Sequence, residues 1–394
     1  MKNKPSLYIV TVGLAVFSMF FGAGNLIYPL MVGLESGCYT GIGMAGFLLT
    51  STCLPLMGLI AMILFDGNYE LFFERLGKNV GRFMIFLCML VIGPGLAIPR
   101  IVTLSHTMVA PFIPVSFLQV INPFSSFVFA LIFLGITLLA TYRENRIVAL
   151  LGNVISPALL ISLAVIIIKG IWTAQTPLAC NISPLQAFTK SFVRGYETLD
   201  LLGAIFFSSI VIHILKNTIG GMVGYNRNRF IMIGLKAGAL GVSLLAMVYI
   251  GMGILTMYHG HNLQPSGDLF RVLAFNVLGI HGSFIIATAV LLACLSTSIA
   301  LSAVVGEYFH IFLFDKKIGY APSLIMLLLL SIPLSTFGLD YVLELTGGPI
   351  TYIGYPVLIM LTFCNLGHKL FNFHWVKLPV AATFILALFS YLVS

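Results

Sequence analysis

Phe20-Phe21-Gly22-Ala23-Gly24-Asn25-Leu26-Ile27-Tyr28-Pro29 lies within an apolar run that begins near residue 7. A membrane span should be uniformly apolar, yet this one carries two glycines, an asparagine and a proline. In hydrocarbon an unpaired backbone group costs several kcal/mol, so irregular backbone is tolerated only inside protein or beside a watery cavity. A broken helix supplies such a cavity with carbonyls for a cation and N–H groups for an anion. A small-residue face for close helix packing would leave the same pattern.

Outward from this stretch the whole chain is apolar. Of its 394 residues, 59% are hydrophobic and 8% charged, with a mean hydropathy of +1.07. A soluble domain carries about 25% charged residues, so a soluble enzyme is excluded. Apolar runs of about 20 residues span a bilayer core. They recur at 7–34, 41–65, 80–104, 124–141, 147–168, 196–216, 229–257, 283–310, 321–338, 341–366 and 375–393. The third is interrupted by Gly93, Pro94 and Pro99, the tenth by Gly347, Gly348 and Pro349. Lys2 and Lys4 precede the first run as in a signal peptide. The apolar stretch continues past Phe21 without an A-x-A site, so a first spanning helix is expected. The fold class is an all-α polytopic membrane protein, a single transmembrane domain over 1–394.

The net charge of +8 comes from Lys and Arg placed between the runs, not gathered in a nucleic-acid patch. With the N-terminus cytoplasmic, all but five of the 20 Lys and Arg fall on or near the inner side. The five are Arg100, Lys169, Lys190, Arg194 and Arg271. Eleven spans then place the C-terminus outside. Cys38 and Cys180 both face out, where a disulfide can form, whereas the cysteines at 53, 88, 294 and 364 read as small apolar helix residues. None of the six has metal-site spacing. HExxH, GxSxG and Walker sequences are absent, and Gly22-Ala23-Gly24 lacks the third glycine and the strand of a dinucleotide fingerprint. His213, His281 and His310 are isolated and read as helix-end residues near the interface.

A second disturbed helix tips the reading of the first towards a break. Gly195-Tyr196-Glu197-Thr198-Leu199-Asp200-Leu201-Leu202-Gly203-Ala204-Ile205-Phe206-Phe207-Ser208-Ser209 opens the sixth span. Spans one and six thus each lead a set of five, and disturbed helices opening both halves point to an inverted-repeat transporter with its site at the midplane. Glu197 and Asp200 would each cost roughly 2.5 to 3.5 kcal/mol at the bilayer centre. They are therefore expected at the outer mouth, capping the helix start. The third element, Ala293-Cys294-Leu295-Ser296-Thr297-Ser298-Ile299, sets three consecutive hydroxyls in an apolar helix. Such hydroxyls bond back to carbonyls one turn earlier, or offer oxygen ligands to a small cation beside carbonyls freed in helix one. Two broken helices favour the second use.

These stretches resemble the branched-chain amino acid:cation symporter family, the BrnQ-type carriers. The matching residues are 20–29, Gly93-Pro94 followed by Ala97-Ile98-Pro99-Arg100, Gly195-Tyr196 with Thr198, Asp200 and Leu202-Gly203-Ala204, and Ala293-Cys294-Leu295 with Glu307-Tyr308-Phe309. The resemblance runs from about residue 7 to 366 in a family that usually has twelve helices, one more than is expected here. More distantly, Gly22-Ala23-Gly24-Asn25, Gly203 to Ser208 and Ala293 to Ala300 are similar to the first, sixth and eighth helices of sodium-coupled LeuT-type transporters.

The resemblance implies a LeuT-type 5+5 inverted-repeat secondary transporter, with repeats at about 7–170 and 190–366 and an extra helix at 375–393. It would import Leu, Ile and Val with sodium across a bacterial inner membrane. One sodium would take backbone oxygens of Ser18, Phe21 and Ala293 and the hydroxyls of Ser296 and Thr297. The substrate would sit among Phe20, Gly22, Ala23, Gly24, Asn25, Phe206, Phe207 and Ser208. In this scheme the carboxylate meets N–H groups around Ala23 and Gly24, the ammonium meets carbonyls of helices one and six, and Phe207 walls the side-chain pocket. A second sodium would use Asn25 and Ser208. Proton-coupled relatives place a Lys in the fifth helix at the sodium position, and 147–168 contains none. The alternative is a proton-coupled importer of other neutral amino acids such as methionine. No buried Lys or Arg is expected beside either break, which leaves the carboxylate to backbone alone. Neither a cofactor beyond the coupling ion nor nucleic acid is expected, the lipid bilayer is the surroundings, and the oligomeric state stays open.

Overall fold

The first apolar run folds as two helices, α1 (Pro5–Phe20) and α2 (Ala23–Ser36), separated by Phe21 and Gly22. This computed structural model describes residues 5–142, 156–174, 176–219 and 227–393. The second span is α3 (Thr40–Leu48) and α4 (Leu54–Leu64), joined by a wide π-turn. After the short α5 (Tyr69–Glu74), the third is α6 (Lys78–Leu90) and α7 (Ala97–Val109), broken where Gly93 leaves helical geometry (φ −94°, ψ −119°). There follow α8 (Ser116–Gln119), α9 (Pro123–Thr141), α10 (Ser156–Trp172), α11 (Pro184–Arg194), α12 (Asp200–Ile219) and α13 (Arg227–His259). The chain continues through α14 (Leu269–Tyr308), α15 (Tyr320–Ser335), α16 (Leu339–Thr346), α17 (Tyr355–Phe371) and α18 (Lys377–Val393). Among the described residues there is no strand, and every expected span has a helical counterpart, residues 147–155 of the fifth lying outside the description.

Two boundaries differ from the hydropathy reading. The sixth span does not begin at its break. It begins with α11, whose exposed Gln186, Thr189 and Lys190 hide it from an apolar window. The eighth starts at Leu269 and turns sharply at Gly279 (φ +71°), a left-handed position that suits glycine.

The broken helices of spans one and six each lie along the span that follows the other. α1 and α2 run along α13, while α11 packs on α3 and α12 on α4, the two halves of span two. Each broken helix therefore rests on the helix that follows the other one, and this reciprocity brings the two breaks face to face. Close helix packing is carried by other glycines: a Cβ on Gly33 would collide with the Gly253 carbonyl, and one on Gly241 would lie 2.8 Å from the Gly13 oxygen. At Gly22 the nearest atom to an added Cβ is Thr297 Cγ2, an ordinary 3.4 Å away. Small-residue packing is thus the role of Gly13, Gly33, Gly241 and Gly253, and Gly22 belongs to a break. Outside the bundle, Cys38 and Cys180 form a disulfide (Cα–Cα 5.1 Å) that ties the turn after α2 to the segment leading into α11.

Candidate functional site

At the first break the Phe21 N–H donates to the Phe17 oxygen (2.8 Å) and that of Gly22 to Phe20 (2.8 Å). Gly22 is extended and gives α2 no side-chain cap. The first N–H groups of a helix have no partner inside it and carry its positive dipole end. At the second break Leu199 is left-handed (φ +64°), and Thr198 Oγ1 donates to the Gly195 oxygen at 2.9 Å. The π-turn of span two braces this break, with Thr50 Oγ1 donating to the Phe192 oxygen at 2.8 Å.

Between the breaks lies a cavity of about 40 Å³. Helix one lines it with Phe20, Gly22, Ala23 and Asn25, helix six with Thr198, Leu199, Asp200, Gly203 and Phe207. That is room for a few waters and far below the roughly 300 Å³ of a small-ligand pocket, so the site is contracted. Above it opens a vestibule of about 1100 Å³, bordered by Tyr28, Glu35, Arg194 and Glu197. Arg194 clamps its wall, with Nη2 at 2.8 Å from Glu35 and Nη1 at 2.9 Å from Glu197. This joins the end of α2 to the start of the helix-six break.

Two charged side chains stand where none was expected. Arg100, read as an outer residue, is buried, and an added Cβ on Gly24 would lie 2.9 Å from its Nη2. Nη1 donates to the Glu197 oxygen (2.7 Å) and Nη2 to that of Thr198 (3.1 Å), while the guanidinium sits 5.8 Å from the Tyr28 ring centre. The carbonyls released by the left-handed turn at Leu199 are what make a cation tolerable at this depth. Asp200, expected at the outer mouth, is also buried; only Glu197 faces the vestibule. Asn25 Nδ2 donates to both Asp200 oxygens (2.9 and 2.8 Å) and lies against the Tyr249 hydroxyl, which donates to Asp200 Oδ2 at 3.1 Å. Tyr249 had no signal in the sequence, being one of two tyrosines in a 33-residue, largely apolar helix.

The eighth-span hydroxyls reach the first break. Thr297 Oγ1 donates to the Phe21 oxygen (3.3 Å) and the Ala293 oxygen (3.1 Å), and Ser296 Oγ to Ala293 (2.7 Å). Ser18 is buried one turn before Phe21, its hydroxyl without a partner. Ser298 points elsewhere, to Thr137 at 3.2 Å. Hard oxygens in such a cluster suit a small hard cation.

Three of the expected substrate residues do not line the cavity. Phe206 turns away and packs on the rings of Tyr69 (5.3 Å) and Phe73 (5.9 Å). Ser208 Oγ donates to Ile205 (2.6 Å). It follows Asp200, the contact of Asn25, by about 12 Å along the helix axis, so Asn25 and Ser208 do not share an ion. Gly24 lies against Arg100 and not among the residues lining the cavity. Of the isolated histidines, His281 is exposed, His310 bonds the Ile318 carbonyl (2.6 Å), and the His213 side chain lies outside the description.

Comparison with known proteins gives the family and the fold. The family model described as "Branched-chain amino acid transport protein" matches residues 6–394. The branched-chain amino acid permease BrnQ of Bacillus subtilis (strain 168) is 30% identical over 381 residues, 94% of this chain and 83% of that protein. A mutant form of the Eremococcus coleocola manganese transporter superimposes with a TM-score of 0.65 at 15% identity, covering 98% of this chain and 86% of the other. The same transporter bound to an aromatic bis-isothiourea compound gives 0.62 at 16% identity, covering 98% and 87%. At these identities the likeness is one of fold, the LeuT-type transporter fold.

Proposed function

Because the chain belongs to the branched-chain amino acid transport protein family, we propose that it is a secondary transporter importing leucine, isoleucine and valine together with sodium. The observation that carries the coupling ion is the convergence of the Ser296 and Thr297 hydroxyls with the Phe21 and Ala293 carbonyls beside the first break. The substrate site is the contracted cavity between the breaks, with Phe207 in its wall. Residues 7–170 and 190–366 form the two inverted repeats, and 375–393 adds a helix. With the N-terminus in the cytoplasm of a bacterial inner membrane, the large vestibule faces outside, and alternating access means parting the helices around the small cavity. Sodium is the only ion or cofactor this scheme requires.

Uptake of labelled leucine into proteoliposomes, with sodium and pH gradients imposed separately, tests this. Accumulation driven by sodium alone is expected; accumulation driven only by pH would make it a proton-coupled carrier. Ser296→Ala and Thr297→Ala should each raise the sodium needed for half-maximal uptake about tenfold or more, the loss of one charge-assisted contact. A hydroxyl deletion in a membrane helix costs only about 0.6 kcal/mol of packing on average, so folding should survive. An unchanged sodium dependence in both variants would remove these residues from the ion site.

A further inference from the structure

Arg100 and Asp200 are opposite charges that line one cavity, each 4% exposed, and among the described residues neither makes an ion-pair contact. Among the described residues the ion pairs are Arg194 with Glu35 and Glu197, and Arg271 with Asp268. A guanidinium carries five N–H donors; Arg100 gives one each to Glu197 and Thr198, and its buried Nε has no acceptor. A carboxylate offers about four acceptor positions; Asn25 and Tyr249 take three on Asp200, leaving one on Oδ1. The Thr198 oxygen held by Arg100 is only two residues before Asp200. A buried charge is costly unless it is paired, and here the missing partners are one anion and one cation in the same small space.

We propose that the substrate supplies both: the α-carboxylate of a zwitterionic amino acid lies on the Arg100 guanidinium, and its α-ammonium on Asp200. Asn25 and Tyr249 are positioning residues that fix the Asp200 carboxylate. Gly24 leaves the room that the Arg100 Nη2 needs. This rests on the amino-acid transport reading above and differs from the scheme the resemblance implies in two respects: the carboxylate is read by a side chain on helix three in place of backbone alone, and the ammonium by the Asp200 side chain in place of backbone carbonyls.

The test compares three ligands on the purified full chain at saturating sodium, through the rise each causes in the thermal midpoint. Leucine carries both charges, isoamylamine only the ammonium, and 4-methylpentanoate only the carboxylate. The native chain should prefer leucine to either analogue by about a hundredfold or more, because an unpaired buried site group penalises the analogue that lacks its partner. In Arg100→Gln leucine should fall to the level of isoamylamine, with isoamylamine itself no weaker. In Asp200→Asn it should fall to the level of 4-methylpentanoate, with that anion no weaker. Arg100→Lys keeps a buried charge for folding but loses the fork, and should cut the preference for leucine over isoamylamine by about tenfold or more. A merely structural role would weaken all three ligands together and would overturn the assignment. So would an Arg100 variant, Gln or Lys, that keeps the native preference over isoamylamine. If Asp200→Asn raises the sodium requirement yet keeps the full preference over 4-methylpentanoate, Asp200 is an ion ligand and the pairing is wrong. If leucine fails to stabilise even the native chain, the substrate reading itself falls, and this assignment with it.

Discussion

Gly24→Val is expected to weaken leucine binding by about a hundredfold or more, while the chain still inserts in the membrane. A Cβ at this position would lie 2.9 Å from Arg100 Nη2, 3.1 Å from its Cζ and 3.2 Å from Tyr28 Cε2. Two further methyls leave the guanidinium no place beside the break, and they also obstruct the N–H groups at the start of α2. Both ways of holding a carboxylate are lost at once. The control is Gly135→Val on α9, where an added Cβ meets nothing within 4 Å. Labelled leucine binding to the two variants, each checked for membrane insertion and a monodisperse elution profile, measures the effect. Equal binding by both would separate Gly24 from the site. On the native chain, competition by leucinamide or isoamylamine as strong as that of leucine itself would show that no carboxylate is read at this break.

With one sodium per amino acid, an inside-negative membrane potential is expected to multiply leucine accumulation about fortyfold per 100 mV. A zwitterionic cargo has no net charge, and one coupled sodium would add one positive charge. Moving one elementary charge is worth about 2.3 kcal/mol per 100 mV, at tenfold for every 1.4 kcal/mol. Arg100 and Asp200 do not alter this, since their opposite charges remain in the protein and sum to zero. Potassium-loaded proteoliposomes with valinomycin, at a fixed sodium gradient, give the reading. Accumulation indifferent to potential would rule out one sodium without a counter-ion, and a square of that factor would indicate two.

Class and breaks were legible because they are local. A bilayer core asks for runs of about 20 apolar residues, and a hydropathy window sees those without any knowledge of neighbours. Glycines and a proline at 22, 24 and 29 interrupt such a run wherever it packs, so the α1–α2 break could be expected from its own ten residues. The hydroxyls of Ser296 and Thr297 were expected beside carbonyls freed in helix one, but only the family resemblance named Phe21 and Ala293 as the carbonyls. The structure then brought Thr297 to the Phe21 oxygen across 276 positions of sequence. Side-chain direction was not legible: Phe206 and Phe207 are adjacent, yet only Phe207 meets the cavity.

Sequence alone therefore determined that this chain is a polytopic helical membrane protein with two interrupted helices, because apolar runs and helix-breaking residues act where they stand. Tertiary structure alone decided that Arg100 and Asp200 share one cavity. Charge in an apolar run is read as lying at an interface, since isolated burial costs too much. That cost is lifted only by groups far along the chain: for Arg100 the carbonyls of Glu197 and Thr198, for Asp200 the amide of Asn25 and the hydroxyl of Tyr249. Where a buried charge can live depends on who meets it, and that is known only once the helices have packed.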